Sequence, residues 1–207
     1  MIHLKPVLGP AVNSPHNSRM TEIPRRRAGT WIPAARLTRS RIPPDLLPWL
    51  LDSGSLTQRL IAACPGQFAV RLVGQQRTRP LREEAAALEL AAGVQALVRQ
   101  VQLQCDTQPW VLARTVIPLT TLTGPRRRLT RLGNRSLGAT LFSDPTMSRD
   151  PVEVTRLVVG SPLYSAITAS MKKPPPELWG RRSVFRLDGW PLLVSEFFLP
   201  SIAGFPE

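Results

Sequence analysis

The chain has 207 residues, 43% of them hydrophobic, which suits one domain with a sizeable core. No apolar run approaches the roughly 18 residues of a membrane span, and the basic N-terminal region lacks the apolar block of a secretory signal, so a cytoplasmic location is expected. The two histidines, His3 and His16, both lie near the N-terminus, which excludes a His-ligated zinc site or a Ser-His-Asp triad in the body and leaves chemistry to carboxylates, arginines, hydroxyls and backbone amides.

The formal net charge of +13 favours anionic partners: nucleic acid, a membrane surface or an anionic metabolite. Much of the excess sits at the start, where Lys5, Arg19, Arg25, Arg26, Arg27, Arg36, Arg39 and Arg41 face Glu22 alone. Residues 1–40, rich in Pro, Arg, Ser and Asn, show no sustained period and read as a mobile extension. The folded body is expected over 41–207. Cys64 and Cys105 lie outside any C-x-x-C motif and read as two buried thiols rather than a disulfide.

Asp45-Leu-Leu-Pro-Trp-Leu-Leu51 reads as a short helix broken by Ser53-Gly54. Ser55-Leu-Thr-Gln58 has the spacing of a capping box, which starts a helix running from Leu56 to about Ala63. Residues 68–74 alternate as a strand, and residues 82–92 have high helix propensity, with a loop as the alternative. Residues 97–105 give the strongest strand signal: Gln100, Gln102 and Gln104 share one face, and Arg99, Val101, Leu103 and Cys105 share the other. A turn over Asp106–Pro109 returns the chain through a second strand, Trp110 to Ile117. The basic run Gly124–Gly133 reads as a solvated helix with Leu129 and Leu132 on one edge. A second helix start is expected at Ser136-Leu137. Trp179-Gly-Arg-Arg-Ser183 reads as a basic cluster holding a loop ahead of a strand. Ser183 to Leu187 and Trp190 to Leu199 flank Asp188-Gly189, the two-residue turn of a hairpin. Strands joined by hairpins, with helices gathered elsewhere, indicate a single α+β domain on an antiparallel sheet.

Two charged residues stand out because their strands are apolar. Arg99 falls on the apolar face of its strand, where a guanidinium is costly unless partnered. It reads either as half of a structural ion pair or as a fork for a ligand carboxylate. Glu196, in Leu192-Leu-Val-Ser-Glu-Phe-Phe-Leu199, reads either as a partner for Arg99 or Arg114 or as a site carboxylate. Leu56 and Leu137 each follow a capping serine, so their amides have no partner within the helix and are open to an anion.

These segments together resemble the bacterial chorismate lyase family, over about Ile42 to Pro200. The resemblance rests on Gln108-Pro-Trp-Val-Leu-Ala-Arg-Thr-Val-Ile-Pro118, Leu122-Thr-Gly-Pro125, Leu132-Gly-Asn-Arg-Ser-Leu-Gly138 with Leu141-Phe142, Leu178-Trp-Gly-Arg-Arg-Ser183 and Pro191-Leu-Leu-Val-Ser-Glu-Phe-Phe-Leu-Pro200, in that order. It implies a monomeric, cofactor-free lyase that splits chorismate into 4-hydroxybenzoate and pyruvate for ubiquinone or plastoquinone biosynthesis, with the ligand enclosed beneath helical flaps. The family's ligand contacts fall on Leu56, Arg99, Leu137 and Glu196, with Arg99 and Glu196 as the catalytic pair and Arg114 as a lesser candidate for a second carboxylate or for pairing with Glu196. It further implies hand-over of product to a membrane prenyltransferase and no specific nucleic-acid partner. Leu56 replaces the family's methionine, the stretch from Asp150 to Leu178 is longer than the family pattern, and the N-terminal extension has no counterpart. The competing readings are a basic nucleic-acid-binding protein and a non-catalytic 4-hydroxybenzoate-binding domain.

Overall fold

The computed structural model describes residues 29–203, so most of the basic extension, with His3 and His16, lies outside the described residues. The 97–105 alternation becomes β3 (Ala96–Cys105), which turns through Asp106 and Thr107 into β4 (Gln108–Pro118). The Asp188-Gly189 turn joins β7 (Glu177–Leu187) to β8 (Trp190–Phe198), with both turn residues at positive φ as a type I′ turn requires. The sheet is completed by β1 (Ile32–Pro33), β2 (Phe68–Thr78), β5 (Met147–Arg149) and β6 (Glu153–Val158). All pairings are antiparallel, in the order β1-β6-β7-β8-β4-β3-β2, with β5 also pairing β7. The β7–β8 hairpin is packed tightly at Gly180, where a Cβ would lie 2.3 Å from the Phe197 ring.

The helices divide between the two faces according to the strands' alternation. One face carries Val101, Leu103, Val111, Ala113 and Phe198 against Leu46, Leu50, Leu56 and Leu60, from a 3₁₀ turn, α1 (Leu47–Leu51) and α2 (Leu56–Ala63). On the same face Leu97, Ile117, Phe185 and Leu192 meet Leu129, Leu132, Leu137 and Leu141, the last two on α4 (Leu137–Phe142). The other face is covered by α3 (Arg82–Ala87) and α5 (Pro162–Thr168), which bury Val98, Leu112, Val116, Leu193 and Phe197. The glutamine stripe of β3 belongs to this second face, and Gln100 donates from Nε2 to the Ala166 carbonyl at 2.8 Å. The long stretch between Asp150 and Leu178 therefore adds β6 to the sheet and packs α5 on the face opposite α2 and α4.

Several expectations are corrected. Residues 29–40, assigned to the extension, pack on the sheet: Ile32 pairs Val154, and Trp31 lies on Phe197 while donating to Glu83. The folded part thus begins upstream of residue 41. The helix expected over 82–92 stops at Ala87, because Glu89 takes a φ of +53° and turns the chain toward β3. Residues Gly124–Arg131 form a 3₁₀ rather than an α-helix, with Leu129 buried and Arg127 and Arg128 outward. Trp179–Ser183 is not a loop but the middle of β7, where alternation sends Arg181 to one face and Arg182 to the other.

Cys64 and Cys105 form a disulfide, not two thiols. Cys64 ends α2, the chain re-enters the sheet at Phe68, and the β2–β3 register sets Phe68 opposite Cys105. That register brings Cα atoms 41 residues apart in sequence to 5.6 Å, within the range a disulfide accepts. Replacing Cys64 by serine is expected to cost about 2–4 kcal/mol of stability. Urea unfolding should show the same loss when the unmodified protein is reduced. Equal midpoints with and without reductant would mean that the link contributes nothing.

Candidate active site

Two short helices approach each other over the first sheet face. Ser55 caps α2, its Oγ accepting from the Gln58 amide at 3.4 Å, and Ser136 caps α4, accepting from the Ala139 amide at 3.1 Å. The capping serine of α4 also meets Thr57 of α2, Oγ to Oγ1, at 2.7 Å, which latches the two N-termini together. Gly138 permits the approach: a Cβ there would lie 2.9 Å from Thr57 Oγ1. Beneath this latch is a partly open cavity between the two helix N-termini and the sheet. Leu56, Arg99, Leu137 and Glu196 all line it, so the four residues singled out from the sequence converge on one space. Val70, Val101, Leu103, Ala113, Phe142, Phe185 and Val194 supply apolar walls.

Arg99 has no carboxylate partner among the described residues. It is 2% exposed, and its Nη2 donates to the carbonyls of Gly133 at 2.9 Å and Arg135 at 3.0 Å. Its Nε is buried and has no hydrogen-bond partner among the described residues. Burial pulls the guanidinium's proton affinity below its ordinary value, yet an arginine stays charged. An anchored cation with an unused donor at the wall of a cavity is an anion receptor, because an incoming carboxylate gains charge-assisted hydrogen bonds there.

Glu196 pairs with neither Arg99 nor Arg114. Its register partner on β7 is Arg181, whose Nε donates to Glu196 Oε2 at 2.6 Å. Arg181, 1% exposed, also donates from Nη1 to the carbonyls of Trp49 at 2.8 Å and Asp52 at 2.6 Å. It thereby ties the carboxylate to the end of α1 and fixes its aim. Glu196, so held, lines the cavity. Arg114 proves to be off the site. It stands opposite Gln100, on the second face, and grips Glu84 through Nε at 2.6 Å and Nη2 at 3.1 Å.

Sequence reasoning did not find Arg149, Arg181, Thr57, Ser136 or Gly138 as cavity residues. Arg181 could have been found from the hairpin register, since counting back from Asp188-Gly189 pairs it with Glu196. Arg149 gave no such signal, because β5 is only three residues long.

Residues 26–204 match the family model described as chorismate lyase. A probable chorismate pyruvate-lyase of Methylococcus capsulatus is 43% identical over 159 residues, spanning 77% of this chain and 97% of that protein. A probable chorismate pyruvate-lyase of Azoarcus sp. is 44% identical over 166 residues, spanning 78% and 87% respectively. Among solved structures, PhnF from Mycobacterium smegmatis superposes with a TM-score of 0.50 at 19% identity, over 75% of this chain and 68% of that one, which is a likeness of fold. With the family match running through every element that builds the cavity, the chain belongs to the chorismate lyase family, a family of carbon–oxygen lyases.

Proposed function

We propose that the cavity takes chorismate and releases 4-hydroxybenzoate and pyruvate, and that the product feeds quinone biosynthesis. The observation that carries this reading is the convergence of Arg99, with its unpartnered buried Nε, and Glu196 on one cavity under the α2–α4 latch. The ring carboxylate binds Arg99 and the first-turn amides of Leu56 and Leu137, which have no partner within their own helices. The ring hydroxyl donates to Glu196. In the reaction the bond between the ring carbon and the ether oxygen breaks, and the hydrogen on the hydroxyl-bearing ring carbon is lost. The enolpyruvyl methylene gains a hydrogen and leaves as pyruvate. A shift of that hydrogen within the substrate needs no protein base, and formation of the aromatic ring drives the step. The protein's part is to hold the substrate in the reactive shape, exclude water and stabilise the charge that builds on the departing group.

No cofactor enters the scheme, and the protein acts as a cytoplasmic monomer. Among the described residues no helix is long and apolar enough to cross a membrane, so hand-over to a membrane prenyltransferase would occur by transient contact. The basic run after Gly124 gives the nucleic-acid reading no support, because much of it serves local structure. Arg126 stacks on Trp190 and pairs with Asp188, Arg128 pairs with Asp144, and Arg135 donates to the Leu132 and Arg131 carbonyls.

The test is to incubate the purified protein with chorismate and measure both products together. Equimolar 4-hydroxybenzoate and pyruvate are expected. A folded protein that binds 4-hydroxybenzoate but leaves chorismate intact would replace this reading with that of a binding domain.

A further inference from the structure

The charges lining the cavity do not balance. Three guanidiniums face it, Arg99, Arg149 and Arg181, against the single carboxylate of Glu196. The Arg181–Glu196 ion pair neutralises one, leaving two cations. Arg99 accounts for the ring carboxylate in the function proposed above, so Arg149 has no task in that scheme.

Arg149 closes β5 and stands opposite Phe185 on β7. Its Nε donates to Ser183 Oγ at 3.0 Å and its Nη1 to the Ser53 carbonyl at 2.8 Å, and its guanidinium lies 5.0 Å from the Phe185 ring centroid. No carboxylate of the described residues lies within ion-pair distance of it. Burial and then the neighbouring Arg181 charge hold its proton affinity below the ordinary value, with Glu196 and Asp52 acting against them. The group is therefore a held, partly desolvated cation in a state that an added anion relieves.

Its place in the sheet states which anion. Crossing from β3 through β4, β8 and β7 to β5, one meets Arg99, then Glu196, then Arg181, then Arg149. Arg149 thus lies beyond Glu196 as seen from Arg99. In chorismate the ether-linked enolpyruvyl group sits on the ring carbon next to the hydroxyl-bearing one, meta to the ring carboxylate, and carries its own carboxylate out from the ring on that side. A substrate with its carboxylate on Arg99 and its hydroxyl on Glu196 points its second carboxylate to the Arg149 end.

We infer that Arg149 receives the enolpyruvyl carboxylate of chorismate and so distinguishes the dianionic substrate from its monoanionic ring product. The inference rests on the chorismate reading above. Arg149 holds the leaving group by the end that does not react, so the ether oxygen can depart without the pyruvyl unit swinging free. When pyruvate has gone, 4-hydroxybenzoate keeps Arg99 and Glu196 but makes no use of Arg149.

The experiment compares Arg149→Met and Arg149→Lys with the unmodified protein, measuring chorismate turnover and, by titration, 4-hydroxybenzoate affinity. For Arg149→Met, kcat/KM for chorismate is expected to fall at least about 30-fold, as for loss of one charge-assisted contact of 2 kcal/mol or more. Its 4-hydroxybenzoate Kd should stay within about threefold, and Arg149→Lys should recover part of the turnover. Parallel loss of chorismate turnover and 4-hydroxybenzoate affinity would overturn the inference and make Arg149 a scaffold for Ser53 and Ser183. Unchanged turnover would overturn it equally. Should Arg149→Met not fold, the unmodified protein supplies the answer: 3-(1-carboxyvinyloxy)benzoate should bind at least tenfold more tightly than its side-chain methyl ester, and equal affinities would refute the assignment. Absence of products from the unmodified protein, by contrast, would remove the chorismate reading itself.

Discussion

Replacing Arg99 by alanine is expected to lower kcat/KM for chorismate by about 10²–10³-fold and to weaken 4-hydroxybenzoate binding by a similar factor. Removing one partner of a buried charge pair costs about 2–5 kcal/mol, and each 1.36 kcal/mol is tenfold in rate. Among the described residues only the carbonyls of Gly133 and Arg135 accept from the guanidinium, so the missing partner is the ligand's carboxylate. The same fact predicts a mild effect on folding. No buried carboxylate is stranded by the change, and the loss of two hydrogen bonds costs about 1–3 kcal/mol, offset by relief of the desolvated charge. Steady-state kinetics and thermal unfolding on one preparation separate the two quantities. Activity that falls only in proportion to lost folded protein would show Arg99 to be structural.

Glu84 presents the opposite case. Glu84→Ala is expected to destabilise the protein by about 3–5 kcal/mol without entering the chemistry. Its carboxylate, with 2% of the side chain exposed, takes two hydrogen bonds from Arg114 and one from the Leu81 amide at the start of α3. Alanine would leave Arg114 charged and unpaired inside the second sheet face and would uncap α3 as well. Urea unfolding of Glu84→Ala, Arg114→Met and the double variant Glu84→Leu/Arg114→Met forms the test. The double variant should recover most of the stability, because the cost lies in a stranded charge rather than in the lost pair. A double variant as unstable as Glu84→Ala would place the cost elsewhere.

Local features with a short range of cause were legible in the chain. The capped helix over Leu56–Ala63 appears with the expected bounds because Ser55 and Gln58 act within one turn. The Asp188-Gly189 turn settles the β7–β8 hairpin by the positive φ it accepts. Alternation was enough to place Arg99 on the apolar side of β3, and the resemblance carried by the motifs around Leu56, Leu137 and Glu196 joined it to them. Where propensity alone was the guide, the result was weaker. Residues 82–92 favour a helix, but joining α3 to β3 required a turn at Glu89.

The sequence by itself determined the capped helix over Leu56–Ala63, the two hairpins, the two burial patterns of β3 and the four positions that meet at the cavity, because each follows from periodicity, capping or a motif within a few residues. Only the tertiary structure decided the partners. Arg114 went to Glu84 and Arg181 to Glu196 because strand order and register assign each arginine to a face, and the β2–β3 register brought Cys64 to Cys105. It also set Arg149 beyond Glu196, from a strand too short to announce itself. Such pairings join residues far apart in sequence, and their proximity exists only once the strands have chosen their neighbours.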